Sequence, residues 1–145
     1  MNESNELLMH IYKTVSMGVE STTSLLRNLK NRDNKIKGLV EEELKEYESY
    51  LKECEKLLKK NKIEFKKTNI MARISSEMGI MMETMKDNSD SAIASMLSEG
   101  FIMGVTEMDG KINSYKKYSD SKSLKIAKKV LKFQENEIKK LKAFI

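Results

Sequence analysis

The chain has 145 residues, 39% hydrophobic and 34% charged, with no proline or tryptophan, one cysteine, one histidine and a formal net charge of +5. That length suits a single domain over residues 1–145, and the wealth of Lys, Glu, Leu and Met without turn residues or β-branched runs sets the expected class as all-α. A lone cysteine excludes an internal disulfide, one histidine with one cysteine falls short of the several Cys or His ligands of structural zinc, and no partner set for a Ser-His-Asp triad can be placed around the single histidine.

In chain order, the first helix is expected over about residues 4–31, where Leu8, Ile11, Val15, Gly18, Thr22, Leu25 and Leu29 alternate spacings of three and four. His10 lies beside this seam and is expected as a flanking surface residue. After the break Asn31-Arg-Asp-Asn34, a second helix over 33–61 carries Val40, Leu44, Tyr47, Leu51, Cys54 and Leu58 in the same rhythm. A seam cysteine behaves as a small, inert hydrophobe.

A shorter helix over 68–86, with Met71, Ile74, Met78, Met81 and Met85, is expected to bridge the second and third long helices. The third, over 90–118, places Ile93, Leu97, Gly100, Gly104, Met108, Ile112 and Tyr115 on its seam. The last, over 121–144, places Leu124, Ala127, Leu131, Gln134, Ile138, Leu141 and Ile145. Asn, Asp or Ser at each break can cap the helix that follows. Seams of this kind are what an antiparallel four-helix bundle buries.

Two features on the third helix carry the functional reading. Gly100 and Gly104 form a G-x-x-x-G pair, and a helix-interior glycine costs about 1 kcal/mol relative to alanine. Close packing against a neighbouring helix is the expected gain, with Gly18 and Gly79 on the same theme. Apolar positions around Met81, Met82, Phe101, Ile102, Met103 and Val105 also exceed what one bundle covers, so this face is expected to meet a partner. Methionine suits such adaptable surfaces. The leading expectation is a non-enzymatic, structural or interaction protein that self-associates as a homodimer or meets another protein.

The rival expectation is a carboxylate metal site. Glu20, Glu43, Glu99 and Glu107 each flank a seam, and Gln134 lies on the last seam with Glu137 one turn further on. Hard oxygen ligands of this type favour iron or manganese over zinc or copper. A bundle with inward glutamates is the di-iron arrangement, but its Glu-x-x-His pairs are here Glu43-x-x-Glu46 and Gln134-x-x-Glu137.

Through its helix lengths, the inserted ARISSEMGIMMETM, the segment MLSEGFIMGVTEM and the closing LKIAKKVLKFQENEIKKLKAF, nearly the whole chain resembles the ferritin-like superfamily. It is most similar to a small bacterial branch of four-helix proteins with a short helix between the second and third. The resemblance implies an antiparallel bundle and, in ligand-bearing members, iron or manganese chemistry, with Glu20, Glu43, Glu99 and Glu107 as the matching ligands. The missing histidines argue against ferroxidase activity.

Residues 111–145 carry 11 basic against 3 acidic side chains, while 68–110 carry 2 against 7. Lys122, Lys125, Lys129, Lys132 and Lys139 trace one stripe of the last helix, a weak anion-binding candidate without arginine or interleaved aromatics. It is expected as a solvated face, and no nucleic-acid partner is expected. No stretch reaches the length of a membrane span and the N-terminus lacks a signal-peptide pattern, so the expected location is cytoplasmic.

Overall fold

The computed structural model describes residues 2–65 and 87–145, and these form an all-α structure of four long helices. They are α1 (Glu3–Asn28), α2 (Lys37–Lys60), α3 (Asp90–Tyr115) and α4 (Ser121–Leu141), with a 3-10 turn, Lys142–Phe144, after α4. The short helix expected over 68–86, and with it Met81, Met82 and Gly79, lies outside the described residues.

Three helices begin on the residues their breaks supply. The side chains of Asn2, Ser89 and Asp120 accept hydrogen bonds from the backbone N–H of Asn5, Ala92 and Ser123, satisfying donors the first turn leaves open. α2 differs, since Ile36 precedes it and has no capping side chain. Asp90, the first residue of α3, takes over that task from across the bundle. Its carboxylate accepts from the N–H of Lys35 (3.1 Å) and Ile36 (3.4 Å) and from Asn34 Nδ2 (3.0 Å), which also donates to the Asn88 carbonyl. One carboxylate thus sits at the positive ends of two helices.

These ties give the direction of each helix. The starts of α2 and α3 share one end of the bundle through Asp90. At the other end, the Asp120 N–H donates to Ser4 Oγ (2.7 Å), and Asn61 Nδ2 at the end of α2 reaches Asn5 Oδ1 (3.4 Å). So α1 and α4 run one way, while α2 and α3 run the other. The extensively packed pairs, α1 with α2 and α3 with α4, are antiparallel, as are the lesser contacts of α1 with α3 and α2 with α4, while α1 also touches α4 as a parallel neighbour. Lys60 and Asp90 therefore stand at opposite ends of the bundle.

Leu7, Leu8, Ile11, Leu29, Ile36, Leu58, Ile93, Met108, Ile126 and Leu141 are fully buried at the centre. α2 ends in a Schellman closure, with Lys62 N–H bonded to the Lys59 carbonyl and Ile63 N–H to the Leu58 carbonyl. Lys62 accordingly adopts φ 56°, a conformation glycine takes more readily.

One seam is turned relative to expectation. The buried face of α4 keeps Ala127, Gln134 and Leu141 of the expected seam and adds Ile126, Val130, Phe133 and Glu137, while Leu131 and Ile138 are only partly buried and Ile145 is 62% exposed. The rotation puts Phe133, the bulkiest side chain of the stripe, against Tyr47 and Phe101 at ring separations of 5.0 and 5.8 Å. Large aromatic area outweighs the smaller branched side chains in choosing the inward face.

Because Asp90 serves two helix starts, Asp90→Ala should lower unfolding stability by about 1–2 kcal/mol. Urea denaturation followed by circular dichroism measures this, and an unchanged midpoint would show that water replaces the carboxylate without loss.

Candidate functional site

The same rotation of α4 carries a carboxyl group into the core. Glu137 is 2% exposed, and it meets Glu43 of α2, which is fully buried. The two carboxyls interact directly, Glu43 pairing with the Glu137 side chain. Neither Glu43 oxygen meets any N–H or O–H donor, so that contact is a hydrogen bond only when the pair holds a proton. Burial, followed by the charge of Glu137, pushes the Glu43 carboxyl up to about 9, with Lys140 pulling weakly the other way. Glu43 therefore carries that proton at neutral pH.

Lys140 closes the outer side. Its Nζ lies 3.1 Å from Glu137 Oε2, and the ammonium is held above its ordinary range by that contact. A cleft of about 280 Å³ opens beside Glu137, lined by Glu42, Lys45, Glu46, Ser49, Glu137 and Lys140.

The inner side is aromatic. Tyr47, one turn from Glu43, packs on Phe101 (6.2 Å between ring centres) and edge-on to Phe133, with Tyr50 on the far side of Phe133 at 5.5 Å. Burial and the two glutamates shift the Tyr47 hydroxyl strongly upward, so it stays a neutral phenol. Gly18 of α1 makes room for this ring, because a Cβ there would collide with it. Gly104 does the same for Gln134, whose Nε2 occupies the space a Cβ would need. Gln134 is 2% exposed and its Oε1 finds no donor, nor does Ser98 Oγ on α3. The core thus holds a polar layer beside an aromatic one.

The four glutamates singled out from sequence do not converge. Glu43 is buried, Glu20 is half-buried on α1, and Glu99 and Glu107 are exposed on α3. No group of three or more His, Cys, Asp or Glu side chains suited to a metal forms among the described residues. The cause is that Glu99 and Glu107 lie on the outward side of α3 and Glu20 at the margin of α1's buried face, which leaves Glu43 the only one of the four on a fully buried position. Glu137, noted in the sequence one turn beyond Gln134 but not counted among the four, is the actual partner of Glu43. Its signal was Phe133 four residues earlier, since positions i and i+4 share a face.

The glycine pair divides likewise. Gly104 packs as expected, but Gly100 is exposed and a Cβ there would meet nothing within 4 Å, as at Gly110. Gly100 is therefore not a contact of the bundle described here. Met103, expected on a partner face, is 65% exposed beside Ile102 at 52%.

His10 is half-buried, and burial, then Lys111 of α3, lowers its pKa against the opposing charge of Glu107. Cys54 is buried with its thiol on the Leu8 carbonyl (3.3 Å), and desolvation pushes it up to about 12, as suits an unreactive thiol. Lys122, Lys125, Lys129, Lys132 and Lys139 are all exposed, and Lys129 pairs with Glu53 at 3.2 Å. No described helix is long and apolar enough to cross a membrane. No protein-family model, curated protein or solved structure matches this chain.

The raised Glu43 group makes stability depend on pH. The folded state retains a proton that the unfolded chain releases near pH 4.5, so stability is fullest below that pH and declines as pH rises toward 9. Glu43→Gln, which keeps the shape and supplies an N–H donor to Glu137, should flatten this decline and melt higher than the wild type at pH 8–9. Thermal melts from pH 5 to 9 check this; parallel curves for both proteins would refute the shared proton.

Proposed function

We propose that this is a non-enzymatic helical-bundle protein that works by binding protein, itself included, through the outer face of α3. The observation that carries the reading is the joint exposure of Ile102 and Met103, at 52% and 65%, in the middle of a helix that also exposes Gly100 and Gly110. A Cβ at either glycine would meet nothing within 4 Å, so the helix-interior penalty of about 1 kcal/mol at each is not offset by packing among the described residues. A helix docking on this face would supply the missing gain. Large apolar side chains clustered on one exposed face are a usual mark of an interaction surface.

A ferritin-like architecture belongs to the same proposal. Its support is the chain path, in which α1 and α4 run parallel, α2 and α3 run opposite to them, and α2 finishes at the opposite end of the bundle from where α3 starts. The two-metal centre of that superfamily does not fit the described residues, because Glu20, Glu99 and Glu107 stand away from Glu43.

Sedimentation equilibrium over a range of concentrations tests the interaction. Wild-type protein should show a reversible dimer, and Met103→Glu should weaken it at least about tenfold by burying an unpaired charge. A wild-type chain that stays monomeric up to millimolar concentration would remove the self-association.

A second, narrower reading is favoured by the two donorless Glu43 oxygens facing Glu137. Here a single Mn(II) or Fe(II) ion replaces the shared proton and displaces Lys140 from Glu137. Calorimetric titration with Mn(II) should then release protons and raise the melting temperature in the wild type but not in Glu43→Gln. No heat and no thermal shift would discard the idea.

A further inference from the structure

We infer that the Glu43–Glu137 pair is a proton-operated latch: with its proton it keeps the last two turns of α4 on α2, and without it those turns part from α2 while every helix stays formed. This is independent of the interaction reading for α3.

The joint between α2 and α4 is a weak one. α1 packs extensively on α2 and α3 on α4, whereas α2 and α4 share only lesser contacts. Glu43 is the seventh residue of α2 and Glu137 lies one turn before the end of α4, so the pair crosses this joint near one end of the bundle. At that end Asp90 holds the start of α3 on the start of α2, and the 3-10 turn after α4 packs on α3. The part left to move is the α4 segment from Phe133 to Leu141, rolling on α3 away from α2.

Neither Glu43 oxygen meets an N–H or O–H donor among the described residues, so the two carboxyls are held together by the proton they share. The charge facing the pair from α4 is Lys140, around which α2 sets Glu42 and Glu46, with Lys45 in the same cleft. α1 and α3 reach this layer with Gly18 and Phe101, which carry no charge. One ammonium balances Glu137 alone. A second carboxylate charge has to be hydrated, and the cleft beside Glu137 gives water its entry. Opening would also uncover Tyr47 and Phe133, an apolar floor for the widened cleft.

The sign of the response follows from where the proton is held. The closed pair keeps it up to about pH 9 and a hydrated Glu43 only to about 4.5, so opening releases it. The open population therefore grows about tenfold per pH unit between those values and levels off above them.

The test is a distance measurement on the full chain. In a Cys54→Ala background, spin labels at Glu41→Cys and Lys139→Cys span the joint, while labels at Glu99→Cys and Lys139→Cys span the α3–α4 contact; all three positions are exposed. Between pH 6 and pH 9 the first pair should gain a longer-distance population, the second should not, and circular dichroism should show constant helix content. Glu43→Gln has no proton to release and should keep the short distance throughout; Glu43→Met is the same control should Glu43→Gln fail to fold. Wild-type distances that do not change, or lengthening that persists in these variants, overturn the latch. Loss of helix in step with the longer distance overturns it too, because the event is then global unfolding.

Discussion

The path of the chain hangs on the Asp90 carboxylate. α2 starts at Ile36 with no capping group of its own, and the Asp90 carboxylate accepts from the Asn34 side chain and from the backbone N–H groups of Lys35 and Ile36. Because Asp90 is itself the first residue of α3, both helices must start at one end and run the same way. Everything downstream follows from that. With α2 and α3 parallel, α3 meets α1 and α4 as antiparallel neighbours. The buried faces of α2 and α4 then bring Glu43 and Glu137 together.

That meeting is stable only in a particular charge state. Two ionised carboxylates out of water and in contact would each lose hydration and repel, penalties of several kcal/mol. One proton between them, and Lys140 on the outer oxygen of Glu137, leaves the cluster neutral. The aromatic layer beneath it works in the opposite sense. Tyr47, Phe101 and Phe133 supply apolar area, and Gly18 lets the Tyr47 ring lie flat against α1. The strongest packing and the costliest polar burial are therefore one turn apart on the same two helices. A rotation of α4 that removed Glu137 from the core would also withdraw Phe133.

How far the sequence could be read follows from the same balance. Helix positions were legible because Asn2, Ser89 and Asp120 are ordinary caps and because three-four spacing of apolar residues has few other solutions. The inward face of α4 was not. Leu131 and Ile138 outnumber Phe133 on a simple periodic count, yet one aromatic ring with three ring neighbours determines the rotation, and periodicity does not weigh side chains by area. Glu43 was singled out as one of four, but its partner lay on the misjudged helix face. Gly100 and Gly104 were indistinguishable as a motif. Only the structure separates the one that admits Gln134 from the one that faces open space.

α3 shows why a bundle helix can be apolar on more than one side. Its inner stripe, Ile93, Ala94, Phe101, Met108 and Ile112, already satisfies the fold. Ile102 and Met103 add nothing to that core, and polar residues there would have been better solvated. Nor is the outer face rigidly shaped by its neighbours, since Gly100 and Gly110 touch no side chain within reach of a Cβ. Among the described residues, that face therefore owes nothing to internal packing.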